Sequence, residues 1–364
     1  MVAPGAVRRQ LAAGRLLFVR DGTLFAQPFD VGRAELTGEA VPVASPVASR
    51  AQPGVGLFSA TPSGALVYLE REDTSGVELV WFDRRGERLE SVGKPGRYSQ
   101  FTLSPDERHL AVELTAPGEL DSDIWTIDLA RGVPTRVTFD PSLDLDPVWS
   151  PDGRELVFSS QREGRMRLYR KALEGNEPES LLREDLENVF PESWSAEAEG
   201  ILYVRGAPED PAFGLLNPEG DGEPETILRK DFTLDEPQVS PDGRWLAYIS
   251  QESGEWEVYV EPFRRVGPRV RVSPEGGGQP KWRGDGRELF YAAPDGRLMA
   301  VDVSEGERGL EIGLPTVLFD ARATDPVRDQ YAVSADGERF LVRVPVEVRR
   351  RIHVVLNWTS LLEQ

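Results

Sequence analysis

The sequence predicts an all-β fold built from repeated short sheets. A near-copy of Ser-Pro-Asp-Gly occurs seven times at intervals of 43–51 residues, and a short apolar strand follows most copies. Glycine and proline are both frequent, with 35 and 29 residues, as expected for a chain that turns often. A repeat of about 45 residues made of short strands is typical of a β-propeller blade.

The repeated turn has a clear local chemistry. Proline presets φ at the second turn position, aspartate hydrogen-bonds the nearby backbone, and glycine accepts a positive φ. The clean copies begin at Ser150 and Ser240. The looser copies lie at Ser63-Gly64, Ser104-Pro105-Asp106-Glu107, Ser195-Ala196-Glu197, Gly284-Asp285-Gly286 and Ser334-Ala335-Asp336-Gly337.

Each unit is predicted to form one four-stranded antiparallel blade. In the fifth turn-containing unit, residues 245–249 leave the turn as a strand and residues 257–260 form the next. The third strands at residues 79–83, 124–128 and 298–302 have a period-two pattern that fits strands buried between neighbouring blades. We therefore predict one propeller domain over residues 1–364, with eight blades, or seven as the alternative. The approximate units are 15–50, 51–95, 96–140, 141–185, 186–230, 231–273, 274–322 and 323–364.

The two ends of the chain contain incomplete units. Residues 15–45 contain three predicted strands with no preceding turn motif, and the last strand, residues 353–358, follows no turn of its own. Because a ring must join its ends, we expect the N-terminal and C-terminal partial blades to meet and close it.

The charge balance restricts the partners. Lysine and arginine number 42 against 62 aspartates and glutamates, which gives a net charge of −20. Nucleic acid and anionic lipid surfaces require a cationic protein face, so both are excluded as expected partners. The absence of cysteine excludes disulfides and thiolate metal sites, and no apolar run is long enough for a membrane span. We expect a monomer that does not insert into membranes.

Catalytic motifs are absent from the sequence. There is no Gly-x-Ser-x-Gly elbow, and the two histidines, His109 and His353, are too few for a multi-histidine metal site. The paired carboxylates Asp121/Asp123 and Asp144/Asp146 have a spacing that suits calcium, but acidic residues are abundant in loops. The sequence therefore predicts no enzyme activity and no cofactor, with a structural calcium ion as the minor alternative.

Aligning the units suggests a binding site. A polar residue stands four positions before the turn serine or its equivalent in most units, displaced by one in the case of Glu192. The first strand of a propeller blade faces the central channel, so these side chains are predicted to ring one channel mouth, where convergent polar groups favour ligand binding. The alternative is that they cap strand ends and hold channel water. The six positions are Gln100, Asp146, Glu192, Glu236, Gln279 and Gln330. The tryptophans just before the turns, Trp149, Trp194 and Trp282, are predicted to pack between blades.

The repeated blades resemble the TolB-like, WD-repeat-like propellers of bacteria over nearly the whole chain. A narrower set of landmarks resembles the C-terminal propeller of bacterial membrane-anchored serine/threonine protein kinases. These landmarks are residues 14–30, 123–125, 134–139, 257–263 and 354–359. The glycine-rich loop, the His-Arg-Asp loop and the Asp-Phe-Gly motif of kinases are absent, so kinase activity does not carry over.

These observations favour a binding function. We expect a sensory or scaffold domain of a bacterial signalling protein that binds an unknown protein, peptide or small ligand. Two alternatives remain: a carboxylate-dependent enzyme acting on a sugar or peptide at the channel mouth, and an accessory propeller that gates a peptidase partner. The domain is expected outside the cytoplasm if it belongs to a membrane-anchored kinase, and in the cytoplasm otherwise.

Overall fold

The computed structural model describes residues 9–20, 22–48, 56–70, 76–116, 119, 121–175, 177–206, 211–220, 222–306, 309–346 and 351–362. The boundary predicted between the first two units, at residues 50 and 51, lies outside these ranges. The chain forms two compact units. The larger contains residues 76–346, and the smaller contains residues 1–75 with residues 347–364.

The described residues are almost entirely β-structure. The first seven strands, β1 to β7, are Arg9–Ala12, Arg15–Arg20, Thr23–Asp30, Glu35–Leu36, Val41–Ala44, Phe58–Ala60 and Ala65–Leu69. Strands β8 to β19 are Val77–Asp83, Arg88–Leu103, His109–Thr115, Asp123–Asp128, Val133–Arg136, Asp144–Trp149, Glu155–Ser160, Arg167–Ala172, Ser180–Leu181, Val189–Ser195, Gly200–Arg205 and Ala212–Leu216. Strands β20 to β32 are Glu225–Arg229, Leu234–Val239, Trp245–Ser250, Glu257–Pro262, Val270–Arg271, Gly278–Trp282, Glu288–Ala292, Arg297–Gly306, Gly309–Ile312, Thr316–Asp320, Tyr331–Val333, Arg339–Pro345 and Ile352–Leu356. Short 3₁₀ helices occupy Arg162–Gly164 and Trp358–Leu362.

The strands of the larger unit form four-stranded antiparallel groups. Three groups are simple runs of consecutive strands, β13 to β16, β17 to β20 and β21 to β24, and a fourth joins β25, β26, β27 and β29, with β28 extending β27. The long strand β9 bends between two further groups. Its first part pairs with β8 in the order β30-β31-β8-β9, and its second part pairs with β10 in the order β9-β10-β11-β12.

The core lies between neighbouring groups, as the alternation predicted. Strand β22 shows the principle because all six of its residues are buried. Trp245, Ala247 and Ile249 pack with residues of β26 on one side. Leu246 and Tyr248 pack with residues of β18 on the other. A strand with apolar side chains on both faces is therefore buried between two sheets.

The repeated turn confirms the predicted chemistry and adds a role for its serine. The Asp152 carboxylate accepts the N–H of Arg154 at 3.1 Å, and Gly153 has a φ of 70°. The hydroxyl of Ser150 donates to Asp152 at 2.7 Å and accepts the N–H groups of Arg154 and Glu155 at 3.1 and 2.9 Å. The serine therefore ties the turn to the first residue of the following strand.

The smaller unit contains two sheets. In the first sheet, β1 pairs with β2 and β2 with β3, and both β4 and β5 pair with β3. The second sheet has the order β32-β7-β6. In the second sheet, Ile352 pairs with Leu69 and Leu356 with Ala65, so the last strand of the chain joins an early one. Trp358 is fully buried in the core of this unit.

Early and late strands share a sheet in both units, and closure of a ring by the partial N-terminal and C-terminal blades stays a prediction. In the larger unit, β31 runs antiparallel to β8 with Phe340 opposite Phe82. The count of eight blades is not confirmed. Six four-stranded groups lie in the larger unit, and the strands predicted for 51–95 and 323–364 are divided between the two units. The single domain over residues 1–364 stays a prediction.

Candidate functional site

One cavity of about 360 Å³ lies where the first strands of the six groups of the larger unit converge. Strands β9, β13, β17, β21 and β25 contribute to its wall, together with β30 and the segment before it. Residues from six separate groups therefore enclose a single space. This arrangement is the axial channel of a propeller, in which each blade presents its first strand to the centre.

Five first strands shift register where polar residues were predicted, at Gln100, Asp146, Glu192, Glu236 and Gln279, and three of these residues have an unusual backbone conformation. Asp146, Glu236 and Gln279 have positive φ angles of 53°, 52° and 56°, and a proline follows each of them. The strand register shifts at each of these points. Such a shift is a β-bulge, which bends a strand and redirects its side chains. Because positive φ is costly for residues other than glycine, the surrounding fold must hold each bulge in place.

The structure separates the six predicted mouth residues into two sets. Gln100, Asp146 and Glu192 line the cavity. Glu236, Gln279 and Gln330 are not part of its wall, and Glu236 and Gln279 are only 3% and 0% exposed. A similar position before the turn therefore does not decide whether a side chain lines the cavity or is buried behind its wall.

Gln279 and Gln330 have a structural role. The Gln279 side-chain oxygen accepts the N–H of Gln330 at 2.7 Å, and its amide nitrogen donates to the carbonyl of Asp325. The Gln330 side chain accepts the N–H of Asp325 at 2.8 Å, and the Tyr331 hydroxyl donates to the Gln279 carbonyl at 2.7 Å. These bonds join β25 to the segment before β30, which fits the strand-capping alternative for these two residues.

Asp146 stands in a second polar network on the cavity wall. Nε2 of Gln100 donates to its carboxylate at 2.9 Å, and its own N–H donates to the buried carboxylate of Glu113 at 2.7 Å. Burial, and then the negative charges of Glu113 and Asp235, raise the pKa of Asp146 well above its usual value. Arg328 partly offsets this effect.

Two further carboxylates stand near the same axis. Burial and the charges of Asp235 and Asp146 raise the pKa of Glu192 well above its usual value. Burial also raises the pKa of Asp235 to about 6, although its carboxylate accepts the N–H of Glu236 at 2.9 Å. Like charges that stand close together in a poorly solvated space disfavour simultaneous ionisation.

Glu236 is the most isolated of these carboxylates. Neither of its carboxylate oxygens has a hydrogen-bond partner among the described residues. Burial is the first cause of its strongly raised pKa, followed by the charge of Asp329, while Lys281 acts in the opposite direction. A buried carboxylate without a hydrogen bond is rare because desolvation of the charge is not compensated.

Sequence reasoning missed the ion pair in this cluster. Nζ of Lys281 lies 2.7 Å from a carboxylate oxygen of Asp329, and both residues line the cavity. Burial alone lowers the pKa of Lys281, but the carboxylates of Asp329 and Glu236 outweigh it and raise the pKa. A signal was present, because Lys281 is one of only four lysines and stands two residues after Gln279 on a predicted inner strand.

The three tryptophans before the turns line the cavity, and two of them also bond to a strand of a neighbouring group. Nε1 of Trp149 donates to the carbonyl of Thr102 at 3.1 Å, and Nε1 of Trp282 donates to the carbonyl of Gln238 at 3.2 Å. Both bonds cross from one group to the preceding one, as expected for packing between blades. Trp194 lies on the same wall.

Three of the residues considered for metal binding lie beside other partners. Asp123 pairs with Arg136 at 2.7 Å, and Asp144 lies 3.6 Å from Arg162, so arginines supply the positive charge there. His353 bonds to Glu70 at 2.7 Å and stacks on Tyr68. Across the ranges that the structure describes, no three His, Cys, Asp or Glu side chains are grouped so that they could hold a metal ion. The expectation of no cofactor stays a prediction.

The stacked four-stranded sheets and the axial polar cavity define the class of the protein as a β-propeller. Residues 66–255, just over half of the chain, match the family model of the TolB beta propeller domain. The chain therefore belongs to the TolB beta propeller family.

Curated relatives match parts of the chain. An uncharacterized protein of Agrobacterium fabrum, Atu1656, is 29% identical over 138 residues, which is 35% of this chain and 46% of the relative. The chain spans less than half the length of the curated relatives it matches.

Solved structures match the fold. A structure assigned to TolB from Agrobacterium tumefaciens aligns with a TM-score of 0.60 at 19% identity, covering 75% of this chain and 99% of that one. TolB from Acinetobacter baumannii aligns with a TM-score of 0.52 at 16% identity, covering 85% and 81%. Within the described part of the chain, no helix combines the length and hydrophobicity needed to cross a bilayer.

Proposed function

We propose that this chain is a non-enzymatic binding propeller whose axial cavity holds part of a small ligand, a peptide or a partner protein. The observation that carries the proposal is the convergence of six strand groups on one cavity with a largely polar wall. A concave site with a few convergent polar groups is the usual form of a ligand site.

The rigidity of the wall supports binding. The bulges, the bonds from tryptophan to backbone and the network around Gln279 fix the lining before any ligand arrives. A preorganised wall loses little conformational entropy on association, so more of the contact energy appears as affinity.

A setting in bacterial signalling, as a sensory or scaffold domain, is the finer part of the proposal. It rests on the resemblance of residues 14–30 and 354–359 to propellers attached to kinases. The reading frame upstream of Met1 tests this part. A kinase domain and a membrane span encoded there would support the signalling setting and place the propeller outside the cytoplasm.

The binding proposal is tested by filling the cavity. Gln238 lines the wall on β21, and replacing it with tryptophan would occupy the space without changing net charge. We expect compounds that raise the melting temperature of the native protein in a screen of metabolites and short peptides to lose at least tenfold in affinity for Gln238→Trp. Glu275→Gln, at an exposed position outside this cavity, is the control and should bind normally. Hits that bind both variants and the native protein equally would contradict the proposal.

An acid–base enzyme is the second candidate, because the pKa values of Asp146 and Glu192 are both raised on the wall of one cavity. Perturbed carboxylates in a cavity are typical of catalytic sites, although structural clusters show them too. Chromogenic glycosides and peptides provide the test. General acid–base catalysis predicts a loss of about 10²-fold or more in Asp146→Asn or Glu192→Gln. If the native protein turns over none of these substrates, the enzyme candidate is rejected and the binding function is the remaining candidate.

A further inference from the structure

The charges around the cavity are unbalanced. Asp146, Glu192 and Asp329 line the wall. The charge of Asp235 raises the pKa values of Asp146 and Glu192, and the charges of Asp329 and Glu192 raise the pKa of Glu236. Lys281 is a partly buried cation of this set, and it pairs with Asp329. Arg328 acts on Asp146 and Glu113 from an exposed position. Arg343 also acts on Glu113 and is the third cation of the set. With Glu113 included, six carboxylates stand against three cations among the described residues, so the cluster carries more negative than positive groups.

Glu236 provides an independent indication that a positive group is missing. It is 97% removed from solvent, and both of its carboxylate oxygens lack hydrogen-bond partners among the described residues. Its electrostatic neighbours Glu192, Lys281 and Asp329 are residues of the cavity wall. A carboxylate in this position is expensive for the empty protein, since the charge of Lys281 offsets only part of its lost hydration. A cation in the cavity would supply the missing interaction.

The shape and lining restrict the kind of cation. No group of three metal-ligating side chains occurs in the parts of the chain that are described, which disfavours a bare divalent ion. The rings of Trp149, Trp194 and Trp282 line the same space as the carboxylates. Aromatic rings contact the alkyl stem of an organic cation and attract its charged head. A cavity of about 360 Å³ lies at the small end of the range for ligand sites and suits a single side chain or a small amine.

We propose that the axial cavity binds an organic cation, a primary ammonium group on an alkyl stem, with the head beside the wall residues Asp146 and Glu192 and the stem against the tryptophan rings. Glu236 lies behind the wall and acts on the head through its charge. This inference rests on the proposed binding function and names the chemical class of the ligand. The ammonium group has two sources, a lysine side chain of a peptide or a free polyamine.

Isothermal titration calorimetry with matched probes tests the inference. The probes are a blocked Gly-Lys-Gly peptide, the same peptide with neutral norleucine in place of lysine, and spermidine. We expect the lysine peptide or spermidine to bind at least tenfold more tightly than the norleucine peptide. The tighter of the two cationic probes assigns the source of the ammonium group.

Charge-neutralising variants complete the experiment. Glu236→Gln and, as a second site that does not depend on the folding of the first variant, Glu192→Gln should each weaken binding of the cationic probe at least tenfold. Glu275→Gln changes net charge equally outside the cavity and should bind like the native protein. Equal binding of the lysine and norleucine peptides, or full affinity in both cavity variants, would overturn the inference.

The two proposals fail in different ways. Neutral or anionic hits that lose affinity in Gln238→Trp would keep the binding function and reject the cation. Hits that are insensitive to Gln238→Trp would reject the cavity as the binding site altogether.

Discussion

Replacing Glu236 with glutamine should stabilise the empty protein at neutral pH. The native carboxylate is 3% exposed and has no hydrogen-bond partner among the described residues, and its pKa is strongly raised, first by burial. Glutamine has nearly the same shape and no charge to desolvate. The variant therefore removes the charge penalty and keeps the packing.

The size of the effect follows from proton linkage. In the unfolded chain Glu236 ionises near its ordinary pKa of 4.5, whereas the folded protein holds the proton to higher pH. Folding is therefore opposed as pH rises above that value, by about 1.4 kcal/mol per pH unit while the folded carboxyl stays protonated. The ceiling at pH 7 is about 3 kcal/mol, and the penalty vanishes below the unfolded pKa, where both states are protonated.

Urea unfolding followed by tryptophan fluorescence measures the difference. The free energy of unfolding of Glu236→Gln should exceed that of the native protein by about 1–3 kcal/mol at pH 7.5, and the excess should shrink by about 1–2 kcal/mol at pH 5.5. Both pH values lie above the isoelectric point near 4.7. They avoid the pH at which the net charge is close to zero and the protein would associate.

A second buried glutamate provides a control of opposite sign. Glu257 is also buried, but the Tyr259 hydroxyl and the guanidinium of Arg271 bond to its carboxylate. Although burial alone would raise the pKa of Glu257, these contacts lower it, so Glu257→Gln should lose about 1–3 kcal/mol at pH 7.5. A destabilised Glu236→Gln, or a gain that does not change between pH 5.5 and 7.5, would refute the explanation.

Three other predictions use the same unfolding measurement. Lys281→Met should cost about 3–5 kcal/mol because it leaves the carboxylate of Asp329 without its partner, and the loss should be smaller when Asp329→Asn is added. Ser150→Ala should cost about 1–2 kcal/mol and more than Ser195→Ala, because Ser150 makes three side-chain bonds and Ser195 makes two; an equal loss would argue against the serine's role in the turn. Trp149→Phe should cost about 1 kcal/mol or more through the lost bond to the Thr102 carbonyl, and no change would show that this bond is neutral.

The stability gain expected for Glu236→Gln has a functional counterpart. A residue that lowers the stability of the empty protein but pairs with a bound cation is typical of a functional site, where stability and activity conflict. The same variant is therefore expected to unfold later in urea and to bind an ammonium probe more weakly. A carboxylate that binds the cation predicts both effects in this variant, whereas a carboxylate that is only buried predicts the stability gain without the loss of binding.

The local features of the fold were determined by the sequence because they depend on near neighbours in the chain. Turn chemistry predicted the turns at Ser150 and Ser240, and the period-two pattern of the third strands predicted strands buried between neighbouring groups. The spacing before the turns predicted the polar positions, and five of them lie at bulges, of which Asp146, Glu236 and Gln279 have a positive φ. Spacing along a repeat carries this information because the same backbone geometry recurs in each unit.

Tertiary structure alone decided which of these side chains reach the cavity. Gln100, Asp146 and Glu192 line the cavity. The Gln279 side chain instead bonds to the segment before β30, about fifty residues further along the chain. The pairing of Lys281 with Asp329 and the division of the terminal strands between two units also depend on contacts between distant segments. Sequence periodicity reports the face of a strand, but depth, charge partners and sheet membership are set by what packs against it from other parts of the chain.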